Sequence, residues 1–200
     1  MRLTAENALE AYRRGIFPWF ERGGFGFWFS PPQRGLLELS ELHVSRRLGQ
    51  LIRQGRYRIT IDRAFADVLR GCGARRRLRG EETWITPRFV SVYTELHRRG
   101  LAHSVEAWDG DALAGGIYGM HVDGVFSGES MFHAEPNAGK AAFVGLAEHL
   151  RSRGLRWMDT QVVTSVVASL GAREISRADY LRRLAEAQRA PIPFLAPDAA

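Results

Sequence analysis

Hydrophobic residues recur along this chain at two spacings, one typical of amphipathic helices and one typical of half-buried strands. Positions three or four residues apart predict helices over residues 4–14, 45–54, 63–72, 86–100, 138–152 and 177–189, with a short helical piece at 165–170. Alternating positions predict strands over residues 57–61, 102–108, 112–119, 125–130 and 155–159, and a shorter one around residues 36–39. This order of elements, with an antiparallel meander between helices, predicts an α+β fold.

Turn-forming and polar residues separate these elements. Asp109-Gly110 and Asp123-Gly124 predict hairpin turns, and Pro31-Pro32 is the best candidate for a domain boundary. Residues 73–82 are predicted as a polar loop and residues 24–30 as an extended aromatic segment. The tail from Pro191 is predicted as a loose strap.

Composition limits the kinds of protein this chain can be. Its 200 residues, 45% of them hydrophobic, are enough for one globular domain with a small appendage. No run of about 18 apolar residues is present, which predicts no membrane span, and no apolar signal-peptide stretch follows the N-terminus. Cys72 is the only cysteine, so no intrachain disulfide can form, as is usual in the cytoplasm.

The charge balance is basic and comes almost entirely from arginine. The formal charge is +6, and Lys140 is the only lysine. This suits a polyanionic partner such as nucleic acid, and a GC-rich genome also favours arginine codons. The sequence has no phosphate-binding loop, no H-E-x-x-H metal helix and no G-x-S-x-G nucleophile elbow. Its six histidines are scattered, and we predict neither a metal site nor a cofactor.

Short motifs in a fixed order form the most specific pattern in the sequence. They are AYRRGIFPWF at residues 11–20, WFSP at 28–31 followed by Arg34-Gly35, LHVSR at 42–46, TWIT at 83–86, HSVE at 103–106, GGIYG at 115–119, FSGESMF at 126–132, DTQ at 159–161 and SLGA at 169–172. In these motifs the chain resembles the leucyl/phenylalanyl-tRNA–protein transferase family, from residue 11 to about residue 189. That many matches in the same order are hard to obtain by chance.

The resemblance implies both a fold and a reaction. The implied fold is that of the Gcn5-related N-acetyltransferases, a mostly antiparallel sheet flanked by helices, with a short N-terminal subdomain at residues 1–32 and a catalytic domain at residues 33–200. The implied reaction moves Leu or Phe, with Met as a further candidate, from aminoacyl-tRNA to the N-terminal Arg or Lys of a protein. It needs no cofactor, marks the acceptor for degradation, and is expected of a cytoplasmic monomer.

Such a reaction needs an apolar pocket for the transferred side chain, because a pocket without hydrogen-bonding groups excludes polar amino acids. Trp84, Ile117, Phe126 and Met131 are candidate wall residues, and Tyr93 joins this substrate-binding set. Methionine adapts to both aliphatic and aromatic guests. For Ile117 and Phe126, an ordinary position in the core is an equally good interpretation.

Three polar residues are candidates for the chemistry. Glu129 lies among apolar neighbours, where a carboxylate is costly without a partner, so we expect it to hold a cationic amine; a salt bridge to an arginine is the alternative. Asp159 and Gln161 share one face if the strand continues. Asp159 would then polarise the Gln161 side-chain amide, whose carbonyl would accept a hydrogen bond from the attacking amine. The resemblance assigns these residues to the reaction site.

Aromatic faces stack on bases and arginines contact phosphates, so both kinds of residue are candidates for binding tRNA. The aromatic candidates are Tyr12 and Trp19, and the basic candidates are Arg46, Arg53, Arg75, Arg76 and Arg77. Packing at a domain interface is the alternative for the aromatic pair. A solvated loop is the alternative for the run at 75–77.

Two departures from the family pattern concern the detail of the site. Thr160 stands where the family usually has Cys. Residues 164–167, which read TSVV, replace an Asn and a His that usually follow the glutamine. Any contact made by that Asn is therefore missing or different in this chain.

Three other functions are alternatives. An acetyl-CoA-dependent acetyltransferase would share the fold, but residues 137–140 lack the glycine pattern that cradles pyrophosphate at a helix start. A non-catalytic RNA-binding protein would leave Glu129, Asp159 and Gln161 without a purpose. Transfer of Leu to an N-terminal Asp or Glu fits the order of motifs less well.

Overall fold

The computed structural model describes residues 2–22, 25–78 and 85–195. Its helices are α1 (Ala5–Arg13), α2 (Arg46–Arg53), α3 (Phe65–Leu78), α4 (Pro87–Arg98), α5 (Ala138–Ser152), α6 (Ser165–Ala168) and α7 (Arg177–Arg189). Its strands are β1 (Phe17–Arg22), β2 (Phe25–Phe29), β3 (Gln33–Glu38), β4 (Arg58–Ile61), β5 (Ala102–Asp109), β6 (Ala112–Val122), β7 (Val125–His133), β8 (Trp157–Gln161) and β9 (Arg173–Ser176). A 3-10 helix, Leu39–Glu41, follows β3. None of the described helices is both long and apolar enough to cross a membrane.

Seven strands form one sheet in the order β4-β5-β6-β7-β8-β3-β9, and β1 and β2 form a separate hairpin. Neighbours in the large sheet run antiparallel except β7 and β8, which are parallel and are connected through α5. The α+β fold with a mostly antiparallel sheet is therefore confirmed. β3 lies inside the sheet because Leu36 and Leu37, which point to opposite faces, are both fully buried.

Helices cover both faces of the large sheet. On one face, α5 packs on β5 and β6 in a core that includes Phe143 and Leu146. On the other face, α1, α3 and α4 enclose a second core that includes Phe89 and Tyr118. α7 covers this second face farther along, where Tyr180 packs against the start of β7. The central strands are thus fixed from both sides.

Several local predictions are confirmed by hydrogen bonds and backbone angles. The side-chain oxygens of Thr4, Ser45 and Thr86 each accept the backbone N–H of the residue three positions ahead, as N-caps do. The two predicted hairpin turns connect β5 to β6 and β6 to β7. Positive φ values at Gly110 and Gly124 fit these turns.

Two segments differ from their prediction. α3 continues to Leu78, so residues 73–78 are helical and the predicted polar loop is wrong there; arginine is a good helix former, and one glycine does not end a helix. β9, at Arg173–Ser176, was not predicted. Four mostly polar residues give no clear alternation, and the strand forms because β3 offers it an edge.

The tail after α7 is packed rather than loose. Phe194 is only 2% exposed and belongs to the core on the α5 face, so the chain crosses from one face of the sheet to the other. The carbonyls of Ile192 and Phe194 accept hydrogen bonds of 2.8 Å from His121 and His149. The predicted loose strap is therefore wrong for residues 191–195.

Candidate active site

A cavity of about 380 Å³ opens where β7 and β8 separate. In the described strands, these two neighbours pair only at Ser127 and Asp159, and beyond that position residues of both line the gap. The wall is mostly apolar, with some hydroxyl groups, a histidine and a carboxylate. Its residues are Cys72, Ile117, Gly128, Glu129, Ser130, Met131, Phe132, His133, Phe143, Met158, Thr160, Val162, Thr164, Ser165, Val166 and Val167. This composition is typical of a site for a small, largely apolar ligand.

Glu129 owes its position to a β-bulge in β7. The register between β6 and β7 shifts between Tyr118 and Gly119, which leaves Glu129 as an extra residue without a partner across the ladder. Bulges bend a strand and re-aim its side chains. After the bulge, Met131 pairs directly with Ile117, and both line the cavity together with Glu129.

Hydrogen-bond donors surround the Glu129 carboxylate. Its Oε1 accepts hydrogen bonds from the Tyr12 hydroxyl and, at 2.5 Å, from Nε2 of Gln161; its Oε2 accepts a longer one, 3.4 Å, from the Tyr93 hydroxyl. Among the described residues no arginine pairs with it, so the salt-bridge alternative is not realised. Burial raises the pKa of Glu129 to about 7, although the Tyr12 and Gln161 bonds oppose the rise. The carboxyl therefore changes charge near neutral pH.

Gln161 occupies a tight turn at the end of β8. Its φ is 61°, and across it the N–H of Val162 donates to the carbonyl of Thr160 at 2.7 Å. A hydrogen bond between residues two apart around a positive φ marks a γ-turn of the rare, strained kind. The turn ends the regular alternation on which the predicted common face of Asp159 and Gln161 depended.

Asp159 is fully buried and accepts hydrogen bonds from four residues. The donors are Arg34 through Nε (2.8 Å) and Nη2 (2.6 Å), Ser127 (2.8 Å), Tyr180 (3.1 Å) and the backbone N–H of Gln161 (2.8 Å). The prediction that Asp159 polarises the Gln161 side-chain amide is wrong. Because of the turn, Asp159 binds the backbone of Gln161, and the amide reaches Glu129 instead.

Arg34 is the buried partner that sequence reasoning missed. It is 1% exposed, and its guanidinium lies between the rings of Phe17 and Tyr180, at 4.5 and 4.3 Å from their centroids. Burial disfavours its charge, but Asp159 outweighs this effect and raises the pKa of Arg34 overall. One signal was available, since a charged residue just before the apolar pair at 36–37 needs a buried partner.

Two of the predicted pocket residues, Ile117 and Met131, line the cavity. Phe126 does not, so that prediction is wrong: it precedes the bulge and packs in the core, stacked on Phe194 with centroids 5.5 Å apart. Tyr93 is fully buried and contributes only its hydroxyl, behind Glu129. Trp84 lies outside the described residues.

The two aromatic candidates for tRNA stacking differ in exposure. Tyr12 is 4% exposed, with its ring inside the second core, so stacking of this ring on a base is ruled out in this conformation. Trp19 is 41% exposed and packs beside Phe29, with ring centroids 5.4 Å apart. The register of β1 and β2 shifts on either side of Trp19, so it too is an extra residue in a bulge. Its exposed ring remains suited to stacking.

The predicted basic contacts are only partly described. Arg46 and Arg53 are exposed on α2. The backbone at 75–77 belongs to α3, which replaces the solvated-loop alternative, but the side chains there lie outside the described part. Among the described residues, no group of three or more His, Cys, Asp or Glu side chains is placed to hold a metal ion.

Glu129 and Gln161 beside an apolar cavity invite comparison with known proteins. A family model described as leucyl/phenylalanyl-tRNA protein transferase matches residues 36–185, and the model of that family's N-terminal domain matches residues 1–32. The chain belongs to the leucyl/phenylalanyl-tRNA–protein transferase family.

Individual members of this family are similar over nearly the whole chain. The leucyl/phenylalanyl-tRNA–protein transferase of Anaeromyxobacter sp. (strain Fw109-5) is 50% identical over 189 residues, which cover 94% of this chain and 80% of that protein. The one from Pseudomonas fluorescens (strain Pf0-1) is 50% identical over 184 residues, covering 90% and 81%. A conserved protein of unknown function from Staphylococcus epidermidis aligns with a TM-score of 0.46 at 11% identity, over 72% of this chain and 57% of that one.

Both departures from the family pattern lie in the cavity wall. Residues 164–167 form the start of α6 and its cap, and all four line the cavity. Thr160 also lines it, and its hydroxyl is buried without a hydrogen-bond partner among the described residues. The differences between this chain and the leucyl/phenylalanyl-tRNA–protein transferase pattern are therefore located in the wall of the cavity, not on a distant surface.

Proposed function

We propose that this protein moves Leu or Phe from aminoacyl-tRNA to the N-terminal Arg or Lys of an acceptor protein. The relatives that are 50% identical carry the name of this activity. The structural observation that supports it most is Glu129, a carboxyl with a near-neutral pKa on the wall of an apolar cavity, bonded to the Gln161 amide. The cavity would take the apolar side chain, and the two polar groups would act on the attacking amine.

The reaction joins the amine nitrogen to the ester carbon and breaks the bond from that carbon to the ribose oxygen. The amine loses a proton, and the ribose oxygen gains one. Because the Nε2 of Gln161 is committed to Glu129, the carbonyl end of the amide is the part that would accept a hydrogen bond from the amine. Ionised Glu129 would attract the cationic form of the amine and accept the proton that this form must release before its nitrogen can attack. Holding the reactants in this geometry supplies much of the rate.

The wider assignments are also part of the proposal. The fold is taken as similar to that of Gcn5-related N-acetyltransferases, with an N-terminal subdomain at 1–32 and a catalytic domain at 33–200. Trp19 would stack on the terminal base of tRNA, and exposed arginines such as Arg46 and Arg53 would contact phosphates. We place the protein in the cytoplasm as a monomer that needs no cofactor and marks acceptors for degradation.

A transfer assay with purified protein tests the proposal. Leucyl-, phenylalanyl- and methionyl-tRNA carrying labelled amino acids would be offered to one acceptor protein with N-terminal Arg, Lys, Asp, Glu or Ala. We expect transfer from the Leu and Phe donors to Arg and Lys acceptors without ATP. Transfer to Asp and Glu acceptors alone would reverse the acceptor assignment.

Acetyl-CoA with the same acceptors serves as the control for the related chemistry. Acetylation without aminoacyl transfer would replace the proposal by an acetyltransferase. Binding of tRNA without either reaction would leave a nucleic-acid-binding protein. The three outcomes are separated in one experiment because donor label, acetyl label and bound tRNA are measured independently.

A further inference from the structure

We propose that Arg34 is a positioning residue for the transfer reaction: it holds the Asp159 carboxylate, which holds Gln161 in the turn that directs its amide to Glu129. The inference rests on the proposed function, and it assigns Arg34 no contact with the substrate. Its starting point is that Arg34 and Asp159 form a fully buried ion pair next to Gln161.

Groups other than Asp159 also fix Arg34 in place. The rings of Phe17 and Tyr180 lie at either side of the guanidinium, and Nη1 donates to the carbonyl of Gly15 at 3.0 Å. The remaining nitrogens, Nε and Nη2, grip both oxygens of Asp159, at 2.8 and 2.6 Å. A planar, two-point grip of this kind fixes the orientation of a carboxylate as well as its position.

The oriented Asp159 carboxylate in turn holds the backbone of Gln161. Its Oδ1 accepts the backbone N–H of Gln161 at 2.8 Å, at the residue whose φ is 61°. A strained backbone conformation persists only where its surroundings over-determine it. Ser127 and Tyr180 occupy the second oxygen of Asp159 together with Arg34. The carboxylate is thus fully engaged, and it acts by holding the turn rather than by contacting the amine.

The next residue supports the same interpretation independently. Gly35 pairs with Gln161 across β3 and β8. A Cβ atom at Gly35 would lie 2.6 Å from Oγ1 of Thr160 and 3.1 Å from the carbonyl carbon of Val162. Contacts that short force a shift, so only glycine lets the turn pack this closely. Arg34 grips the turn, and Gly35 leaves room for it.

Arg34→Gln and Arg34→Lys test the proposal in a single-turnover assay with leucyl-tRNA and an acceptor beginning with Arg. We expect Arg34→Gln to slow transfer by about tenfold or more while tRNA affinity changes by less than about twofold. Arg34→Lys keeps the charge but loses the two-point grip, so an intermediate rate is expected. Arg183→Gln is the matched control, because it removes a 2.6 Å ion pair to Glu38 on the same strand without touching Asp159. It should leave the rate unchanged.

The titration of Glu129 gives a second readout that needs no substrate. The Arg34 charge and the Gln161 hydrogen bond both lower the Glu129 pKa, and the Asp159 charge raises it. In ¹³C NMR of glutamate-labelled protein, Arg34→Gln should therefore move the Glu129 midpoint upward. Arg34→Lys keeps the charge, so an upward shift in that variant reports the lost Gln161 bond. Tyr12 and Tyr93 face Glu129 from the other side and are unchanged in every variant.

The outcomes separate the two proposals. Absence of transfer by the unmodified protein rejects the proposed function, whatever Arg34 does to Glu129. An unmoved Glu129 titration in both Arg34 variants rejects the positioning role, as does an unchanged transfer rate or an equal loss of tRNA affinity. Should the Arg34 variants not fold, Asp159→Asn replaces one of the two oxygens that Arg34 grips and so breaks the two-point contact from the other partner. A wild-type transfer rate in that variant would also overturn the inference.

Discussion

Ionisation of the Glu129 carboxyl lowers the stability of the fold but supplies the charge that the proposed reaction uses. Burial raises its pKa from an ordinary 4.5 to about 7 in the folded protein. Below about pH 4.5 the carboxyl is protonated in both states; above it the unfolded chain releases its proton while the native state keeps it, so stability falls as the pH rises. Above about pH 7 the native carboxyl is ionised as well, and the loss is complete. Above pH 7 the protein therefore holds a partly buried charge that lowers its stability, and this charge is the form that the proposed reaction uses.

Glu129→Gln is expected to stabilise the protein while inactivating it. At pH 8 the variant lacks the buried charge, so its free energy of unfolding should exceed that of the wild type by about 1 to 3 kcal/mol. At pH 5 the difference should be smaller, about 1 kcal/mol or less, because the folded wild type is still neutral and only the unfolded chain has released its proton. Transfer at pH 8 should fall by about a hundredfold or more. Urea unfolding at both pH values and single-turnover rates measure these effects.

A matched control for Glu129→Gln is Glu135→Gln, since Glu135 is exposed and follows β7. It should change neither the stability difference between pH 5 and pH 8 nor the rate. A stability gain in Glu129→Gln that is the same at both pH values would contradict the assignment, because it would arise from packing rather than from the charge.

Residue types at the site were predictable from the sequence, but their connections were not. Glu129 and Gln161 stand out as polar residues in apolar motifs, and the structure brings them together at 2.5 Å. A bulge and a γ-turn decide what each side chain faces, and neither leaves a hydrophobic pattern. For this reason Asp159 was given the wrong partner and Arg34 was given none.

Among the elements, α6 and its cap carry the residues, 164–167, that depart from the motif pattern of the family, and these residues line the cavity. Thr164 caps the helix by accepting the backbone N–H of Val167, so a short helix forms here despite its β-branched residues. Val166 lies on the cavity wall and is 37% exposed, which places it at the mouth rather than in the core. A side chain at the mouth of the cavity limits the length of the amino-acid side chain that can bind there.

Val166→Ala is expected to shift donor preference toward the larger side chain. Removing two methyl groups at the mouth leaves more room for Phe than Leu can use, so the ratio of kcat/KM for Phe over Leu should rise about three- to tenfold. Competition between the two charged tRNAs in one reaction measures this ratio directly. Leu181→Ala on α7 is the control, because Leu181 is 39% exposed and away from the cavity. If the Phe-to-Leu ratio of kcat/KM is unchanged in Val166→Ala, this residue does not determine donor preference.

Helix and strand prediction succeeded where a capping side chain within the segment fixes its start. It failed where a contact with a distant part of the chain decides the structure. The caps at Thr4 and Thr86 fix their helices locally, and both starts were predicted correctly. β9 exists because β3 lacks a partner on that side, and the tail is held by His121 and His149. The local spacing of hydrophobic residues does not predict such tertiary contacts.

Across the whole molecule, positive charge is distributed over both faces of the sheet. α2 packs on the α5 face through Leu48 and exposes Arg46 and Arg53 there. α7 lies on the opposite face and exposes Arg189 near its end. A net charge of +6 attracts tRNA from every direction, so total charge alone does not locate the bound tRNA. Salt dependence of individual variants does locate it.

Arg46→Ala with Arg53→Ala is expected to weaken tRNA binding and to reduce its salt dependence. Each lost phosphate contact removes one counterion-release event, so the slope of log affinity against log salt should fall by about one per residue. Single-turnover transfer at saturating tRNA should remain near the wild-type rate, because neither side chain lines the cavity. Arg189→Ala changes the net charge by the same amount per residue on the opposite face, and it should lower affinity slightly without altering the slope. If the α2 double variant has the same salt slope as the wild type, α2 does not contact the tRNA phosphates. If Arg189→Ala lowers the salt slope, the tRNA binds on the α7 face.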